Sequence, residues 1–262
     1  METAEPPIDA WSNTLGTPRV DRLAHGNPDV RLWSVWGDDD RPYILRAVGQ
    51  WRPGASLTDE HRVLLHLKEA GVSVAVPVRS NDGALYVEHR NRTYVLVPRL
   101  PADDVEHELL PDAGDVCARI GSAIGGLHLA LAEYPRVVES YEHDLLQHAF
   151  EGSRPKLPRN IRERWIDPHA EVARTVLRGL PIQLIHGDCN SGNVLLSEGQ
   201  VSGFIDLDHL PVGQRIYDLA YYLVSRVRDL IDPVERPGPA QRGLSPRRRF
   251  VCGRVSRAEP AL

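Results

Sequence analysis

The sequence predicts an α+β protein with two parts, a small antiparallel sheet followed by a mainly helical lobe. Three observations carry this prediction. Apolar, β-prone runs joined by polar turns dominate the first 100 residues, apolar residues recur at helical intervals afterwards, and short strand-like runs interrupt the helical part. At 262 residues, the chain is also long enough to bury a core of ordinary size.

The first elements along the chain are a hairpin and a helix. The run VRLWSVWGDDDRPYILRAV, residues 30–48, places two β-prone stretches around an Asp-rich turn, which is typical of a hairpin. The run SLTDEHRVLLHLKEAG, residues 56–71, opens with capping residues and closes on a glycine, which indicates a helix. Residues 84–100 then predict two more strands, joined by a polar turn at Asn91–Arg92. We therefore expect residues 1–100 to form a sheet-based N-terminal lobe.

After residue 100 the pattern becomes helical, and residues 101–235 are predicted to form the second lobe. One amphipathic helix starts near Asp112, and its apolar positions are Val116, Ile120, Ile124, Leu127 and Leu131. A second helical region covers residues 160–180, with an interruption expected at Pro168. Three short strand-like runs, IQLIHGD, NVLLS and VSGFIDL, come next. A last helix is marked by Ile216, Leu219, Leu223, Val227 and Leu230.

Residues 236–262 differ from the rest of the chain in composition. They contain seven arginines and one acidic residue, are rich in proline and glycine, and show no apolar period. We expect this tail to be disordered. A frameshift in an arginine-biased coding sequence would explain the tail, and a natural flexible extension is the alternative.

Charge and cysteine content exclude several classes of protein. The net charge is −5 at pH 7, and the basic tail leaves −11 on residues 1–235, which argues against a nucleic-acid partner. Three scattered cysteines without a CxxC pair favour a reduced, cytoplasmic setting. The start, METAEPPIDA, has no apolar core and is not expected to be a signal peptide, and no run approaches the roughly 18 apolar residues of a membrane span. We therefore expect a cytoplasmic protein whose partners include neither nucleic acid nor a membrane.

Two polar clusters, HGDCNSGN and FIDLDHL, lie about twenty residues apart, each after a strand-like run. Strand ends present side chains to a shared cleft, so the clusters can converge. Phosphoryl transfer needs a carboxylate that orients or deprotonates the attacking hydroxyl, and oxygen ligands that hold Mg²⁺ at the nucleotide phosphates. Asp188 suits the first role, and Asn193 and Asp206 suit the second.

These motifs, with their order and spacing, resemble the catalytic and metal loops of the aminoglycoside phosphotransferase and choline kinase group, a branch of the protein-kinase-like fold. The resemblance extends to RIYDLAYYL at residues 215–223 and to IGSAIGGLH at residues 120–128. With the hairpin, the helix and the hinge-like YVLVPRL of the first lobe, it covers roughly residues 20–231.

The resemblance implies a phosphotransferase with an alcohol group as acceptor, which uses ATP or GTP and magnesium to phosphorylate an aminoglycoside-like or other small metabolite. Asp188 would be the catalytic base, and Asn193 and Asp206 would bind the metal. His186 would brace the loop through hydrogen bonds, and Asp218 would be the buried acid of the helix that follows. The sequence does not name the acceptor, although an acidic protein is compatible with a cationic one.

The first lobe departs from the family pattern at the phosphate-binding position. Kinase-like enzymes place a lysine on a strand, paired with a helix glutamate. Here the strand YILRAV offers Arg46, with Glu60 as its candidate partner, and Lys68 falls inside the predicted helix. Arg46 and Glu60 are therefore the predicted nucleotide-binding pair, and a simple surface ion pair is the alternative.

Two other interpretations of the polar clusters remain. His186, Asp188, Asp206, Asp208 and His209 are all competent ligands for a metal hydrolase, although that interpretation leaves Asn193 and the helix pattern unexplained. A non-catalytic or truncated nucleotide-binding remnant of such a kinase is the second, motivated by the atypical tail.

Overall fold

The N-terminal lobe is built on a five-stranded antiparallel sheet, which we analysed in a computed structural model. The structure describes residues 5–23, 31–48, 56–103, 114–140, 142–143, 156 and 158–231. The sheet has the strand order β1-β2-β3-β5-β4, formed by β1 (Arg19–Leu23), β2 (Arg31–Trp36), β3 (Pro42–Val48), β4 (Val87–His89) and β5 (Arg92–Pro98). The α+β class predicted from the sequence is thereby confirmed for this lobe.

Both predicted hairpins are present, as β2–β3 and β4–β5. The turn of the second is at Arg90–Asn91, one residue earlier than expected. Both residues have positive φ, 47° and 60°, which is the backbone that a two-residue hairpin loop requires, and Arg92 already pairs with His89. Strand β1, which adds an edge to the sheet, was not predicted.

Two helical segments flank the sheet. A 3-10 turn at Ile8–Trp11 leads into the short α1 (Ser12–Leu15), which the sequence reading missed. The predicted helix is α2 (Leu57–Glu69), and the side chain of Ser56 caps it by accepting a hydrogen bond from the Asp59 amide at 3.1 Å.

The second lobe is mainly helical. Its helices are α3 (Gly114–Ala132), α4 (Arg159–Ile161), α5 (Ala170–Arg178) and α6 (Ile216–Ile231). Between α4 and α5 the chain forms a π-helical turn and a 3-10 turn, Arg162–Ile166 and Asp167–His169. The expected interruption at Pro168 is therefore confirmed, because proline lacks the amide that a continuous helix would need.

The polar motifs lie on two small sheets of this lobe. Strands β6 (Glu142–His143), β7 (Ile182–Leu184) and β10 (Val212–Gln214) form the first, and β8 (Val194–Ser197) pairs with β9 (Gln200–Phe204) in the second. The three predicted strand-like runs correspond to β7, β8 and β9. Strands β6 and β10 were not anticipated.

The buried hydrophobic residues form two core clusters. One lies under the N-terminal sheet around Trp11, Val35, Leu45 and Leu96, and the other joins α2, α3 and the β8–β9 hairpin around Leu67, Leu127 and Phe204. Backbone hydrogen bonds from Phe204 to Ser73 at 2.9 Å and from Asp103 to Leu196 at 3.0 Å fix the hairpin to the segments that flank the sheet. The hairpin therefore has a defined position beneath the N-terminal lobe.

The predicted start of the long helix near Asp112 and the tail at residues 236–262 lie outside the described residues. The domain limits at residues 100 and 235 remain predictions.

Candidate active site

A nine-residue loop connects β7 to β8 and carries Asp188 and Asn193. The side-chain amide of Asn193 donates to the Asp188 carbonyl oxygen at 2.8 Å and to its Oδ2 at 2.9 Å. Asn190 donates from Nδ2 to the other carboxylate oxygen, Oδ1, at 3.1 Å. Each oxygen of the Asp188 carboxylate thus accepts an amide hydrogen bond, which fixes the orientation of the group.

Asp218, in the first turn of α6, anchors the start of this loop. Its Oδ2 accepts from the His186 amide and its Oδ1 from the Gly187 amide, both at 2.9 Å. His128 of α3 lies 2.9 Å from Oδ2 through Nε2. Burial opposes ionisation of the fully buried Asp218, but hydrogen bonds such as those from His128 and from the Gly187 amide favour it, and its pKa lies below the usual range.

The ring of His186 joins the loop to the segment after β9. Its Nε2 lies 3.0 Å from the Ile205 carbonyl oxygen, to which it donates, and its Nδ1 accepts from the Asp188 amide at 3.3 Å. One neutral tautomer satisfies both contacts. Because both ring nitrogens are engaged, His186 has no lone pair left for a metal, which argues against the metal-hydrolase interpretation.

Gly187 is required by the geometry of the same turn. Its φ is +81°, and a Cβ placed there would lie 2.4 Å from Cδ of Pro211. A side chain at this position would therefore combine backbone strain with a collision.

Asp206 follows β9 and meets Arg46 of β3, 160 positions away in sequence. Arg46 donates from Nη1 to Asp206 Oδ1 at 3.1 Å and from Nη2 to Glu60 Oε1 at 3.2 Å. The Arg46 side chain is 21% exposed, and that of Asp206 is 42% exposed. Burial alone would lower the pKa of Arg46, but attraction to Glu60, Asp206 and Asp208 raises it, so the side chain stays charged. The predicted ion pair between Arg46 and Glu60 is present, and Arg46 also forms an ion pair with Asp206, which the sequence did not predict.

Two residues beside these motifs, Asp208 and Cys189, have raised pKa values. Burial, and then the charge of Asp206, raise the pKa of Asp208 despite the opposing charge of Arg46. Burial likewise raises the pKa of the Cys189 thiol, so this cysteine is not a nucleophile. Lys68 lies on the exposed surface of α2, away from the cleft.

A cleft of about 1100 Å³, open solvent included, lies between the sheet and the β8–β9 hairpin. Arg46, Glu60 and Asp206 line it, together with apolar side chains such as Leu32, Ile44, Val97, Leu195 and Leu207. Sequence reasoning missed the apolar walls, although strand alternation could have found part of them, since Ile44 and Arg46 share one face of β3. A slot with apolar walls and a charged end suits a flat base attached to an anionic group.

Asn193 and Asp206 bracket the hairpin, one just before β8 and the other just after β9, and the Ile205 amide donates to the Asn193 carbonyl at 3.0 Å. An amide oxygen and a carboxylate are the hard donors that Mg²⁺ prefers, and this ion commonly takes only one or two protein ligands. Within the described part of the chain, no cluster of three or more His, Cys, Asp or Glu side chains is arranged to hold a metal ion. The donor set therefore fits magnesium bound jointly with phosphate oxygens.

Comparison with known proteins adds independent information. Residues 22–250 match the model of a family described as the phosphotransferase enzyme family. Over 156 residues the chain is 33% identical to homoserine kinase of Neisseria meningitidis, a match that covers 59% of this chain and 50% of that enzyme. The chain spans about half the length of the curated relatives it matches.

Solved structures show the same fold at low sequence identity. An aminoglycoside phosphotransferase from Alicyclobacillus acidocaldarius aligns with a TM-score of 0.59 and 16% identity, covering 88% of this chain and 74% of that one. An amicoumacin kinase in complex with AMP-PNP and Ca²⁺ gives a TM-score of 0.58 and 17% identity, covering 85% and 69%. The two-lobed fold predicted from the sequence is therefore confirmed. Among the described helices, none is both long and apolar enough to cross a membrane.

Proposed function

Because the chain belongs to the phosphotransferase enzyme family, we propose that it is a small-molecule kinase that transfers the γ-phosphoryl group of ATP, or of GTP, to a hydroxyl group. One observation carries the proposal. The carboxylate of Asp188 is held by two side-chain amides in the loop that leads into the hairpin carrying Asp206, and that hairpin lines the cleft.

In this proposal Asp188 aligns the acceptor hydroxyl and receives its proton. A carboxylate has about four lone-pair positions, and the two amide bonds leave others available. The same bonds keep the carboxylate from rotating, so that a hydroxyl meets it in one orientation. Positioning and proton transfer of this kind are the main contributions that a protein makes to phosphoryl transfer.

Arg46 would bind phosphate oxygens, while Asn193 and Asp206 would hold magnesium. The bound ion would neutralise charge on the nucleotide phosphates. Glu60 retains the guanidinium on the cleft wall at 3.2 Å, which limits the conformations that it must lose when phosphate binds. Arginine presents a planar fork, so it can contact two phosphate oxygens at once.

For the acceptor we propose a small hydroxyl compound that also carries a positive charge, such as an amino alcohol, an amino acid or an aminoglycoside. Glu60 and Asp206 line the cleft together with Arg46 and Arg99, and the neighbouring loops add the carboxylates of Asp188 and Asp208. Negative clefts concentrate cations. Homoserine is a fitting first candidate, given the homoserine kinase relatives.

The test is phosphate transfer by the purified chain, measured as nucleoside diphosphate release with ATP or GTP over a panel of homoserine, amino alcohols and aminoglycosides. Replacing Asp188 with Asn should lower kcat by roughly 100- to 10,000-fold while leaving nucleotide affinity nearly unchanged. The matched control is Asp115→Asn, which removes an exposed carboxylate from the first turn of α3. Equal turnover in the wild-type and Asp188→Asn proteins would remove Asp188 from the proposed role.

A second candidate is a nucleotide-binding protein without transfer activity. The observation that favours it is the exposure of Leu219, Leu223 and Val227 on α6, since an open apolar face in the catalytic lobe indicates that part of the lobe is uncovered. Calorimetry distinguishes the two candidates. Magnesium-dependent ATP binding without turnover on any acceptor would favour this second function.

A further inference from the structure

Arg46 makes two ion pairs that bring groups from three separate elements together. Its Nη2 contacts Glu60 on α2, and its Nη1 contacts Asp206 after β9. The two contacts measure 3.1 and 3.2 Å, within the range of N–H···O hydrogen bonds. The guanidinium therefore occupies one oxygen of the Asp206 carboxylate.

This contact conflicts with the roles given to both residues, and the inference that follows rests on the proposed function. The N–H that Nη1 directs at Asp206 is not available to a phosphate while the ion pair lasts. The fixed positive charge about 3 Å from the Asp206 carboxylate also repels a second cation. Nucleotide phosphates and a metal ion therefore compete with the two partners of the same ion pair.

We propose that Arg46 is an internal counterion for Asp206, which keeps metal ions away from that carboxylate until nucleotide phosphates draw the guanidinium off. Arg46 is thus a positioning residue that couples the two ligands. Whichever ligand breaks the pair first makes the remaining partner available to the other.

The arrangement suits arginine better than lysine. The planar fork of arginine reaches two carboxylates at once, whereas an ammonium is a single point charge. After Asp206 is released, the contact with Glu60 still holds Arg46 at the cleft wall, and the other arm is free for phosphate. The guanidinium stays charged in both arrangements, because arginine is not deprotonated in proteins.

The test measures Mn²⁺ binding to the nucleotide-free protein by electron paramagnetic resonance of the free ion. Manganese accepts the same oxygen ligands as magnesium. Replacing Arg46 with Gln should tighten Mn²⁺ binding by roughly two- to fivefold, the range expected for the loss of a partly exposed ion pair. The same variant should weaken ATP binding by roughly 10- to 100-fold, because a charged hydrogen-bond donor to phosphate is lost.

The control variant is Arg41→Gln, which removes one positive charge from the exposed turn between β2 and β3, where Arg41 forms an ion pair with the exposed Asp39. It should leave both affinities unchanged. Equal tightening of Mn²⁺ binding in both variants would show a general charge effect and would overturn the proposed role of Arg46 as counterion for Asp206.

Folding is monitored by the thermal transition of each variant. If Arg46→Gln does not unfold cooperatively, Arg46→Lys carries the test. Its ammonium is expected to stay with the more buried Glu60, so Mn²⁺ should again bind more tightly than to wild type. Unchanged Mn²⁺ affinity in the folded variant overturns the inference. Failure of the proposed function has a different signature, namely no magnesium-dependent ATP binding by the wild-type chain.

Discussion

The two lobes differ in how they cover their apolar side chains. Of the 13 large hydrophobic residues exposed in the described parts of the chain, the N-terminal lobe contributes only Leu65 and Tyr86. The second lobe contributes the others, with Val172 and Val176 on α5 and a stripe on α6 at Ile216, Leu219, Leu223, Val224 and Val227. The large apolar side chains of the sheet lobe are therefore mostly buried, whereas helices α5 and α6 of the second lobe expose apolar faces to solvent.

The loop of residues 185–193, which carries Asp188, nevertheless belongs to the closed part of the helical lobe. It is tied to α3 and to the first turn of α6 through His128 and Asp218, and its Cys189 belongs to the same buried cluster as Leu207. The open stripe lies on another side of α6. The geometry of the site should therefore depend on the inner layer and hardly at all on the exposed faces.

The largest effect is expected from Asp218, which joins α6 to the loop. Replacing it with Ala leaves the amides of His186 and Gly187 and the ring of His128 without their acceptor in a fully buried place. Removing one partner of a buried polar network costs about 3–5 kcal/mol, and we expect a loss of this size in urea unfolding. A loss below about 1 kcal/mol would mean that the closed layer does not depend on this carboxylate.

A core substitution in the N-terminal lobe should come next. Leu45 is fully buried, and Leu45→Ala should cost about 3 kcal/mol through lost burial and the cavity that remains. The matched control is Leu223→Ala, at a side chain that is 55% exposed, for which a change within about 0.5 kcal/mol is expected. Similar losses at the two leucines in urea unfolding would contradict the contrast between the lobes.

Asp218 should also determine how the free energy of unfolding changes at acid pH. Because its pKa is lower in the folded protein than the usual value of 3.8, ionised Asp218 contributes stability above that value. The contribution is lost as the pH falls below about 4 towards the folded pKa of Asp218. Between pH 6 and 3 the unfolding free energy of wild type should fall more steeply than that of Asp218→Asn. Parallel curves would show that other carboxylates dominate acid unfolding.

Sequence periodicity was sufficient for most of the fold because α2 and α3 bury one apolar face each and the two N-terminal hairpins place apolar runs around polar turns. In α6 the periodic residues Ile216, Leu219, Leu223 and Val227 predicted the helix although they are exposed. The elements that it missed have no such pattern. Strand β1 is an edge strand with mostly exposed residues, and β6 and β10 are two and three residues long, so their pairing depends on distant parts of the chain.

For the site, the motif spacing was enough to predict that Asp188, Asn193 and Asp206 lie close to the ends of neighbouring strands. The contact between Arg46 and Asp206 could not be read, because it joins positions 160 apart across the cleft. Nor could the three hydrogen bonds to Asp218, two of which come from backbone amides that carry no residue-specific signal.

The smallest effect on stability should come from the exposed stripe on α6. Substitutions there also test directly whether the exposed apolar face causes association. Replacing Leu223 and Val227 together with Gln removes apolar surface that is already in water, so the free energy of unfolding should change by less than about 1 kcal/mol. Exposed apolar patches promote association, and the wild-type chain should therefore show a concentration-dependent increase in mass by light scattering that the double variant reduces. Because the stripe lies away from the loop held by Asp218, ATP affinity should be equal in the two proteins. Reduced ATP affinity in the double variant would show that the open face supports the site, and the separation between the closed and open parts of the helical lobe would then fail.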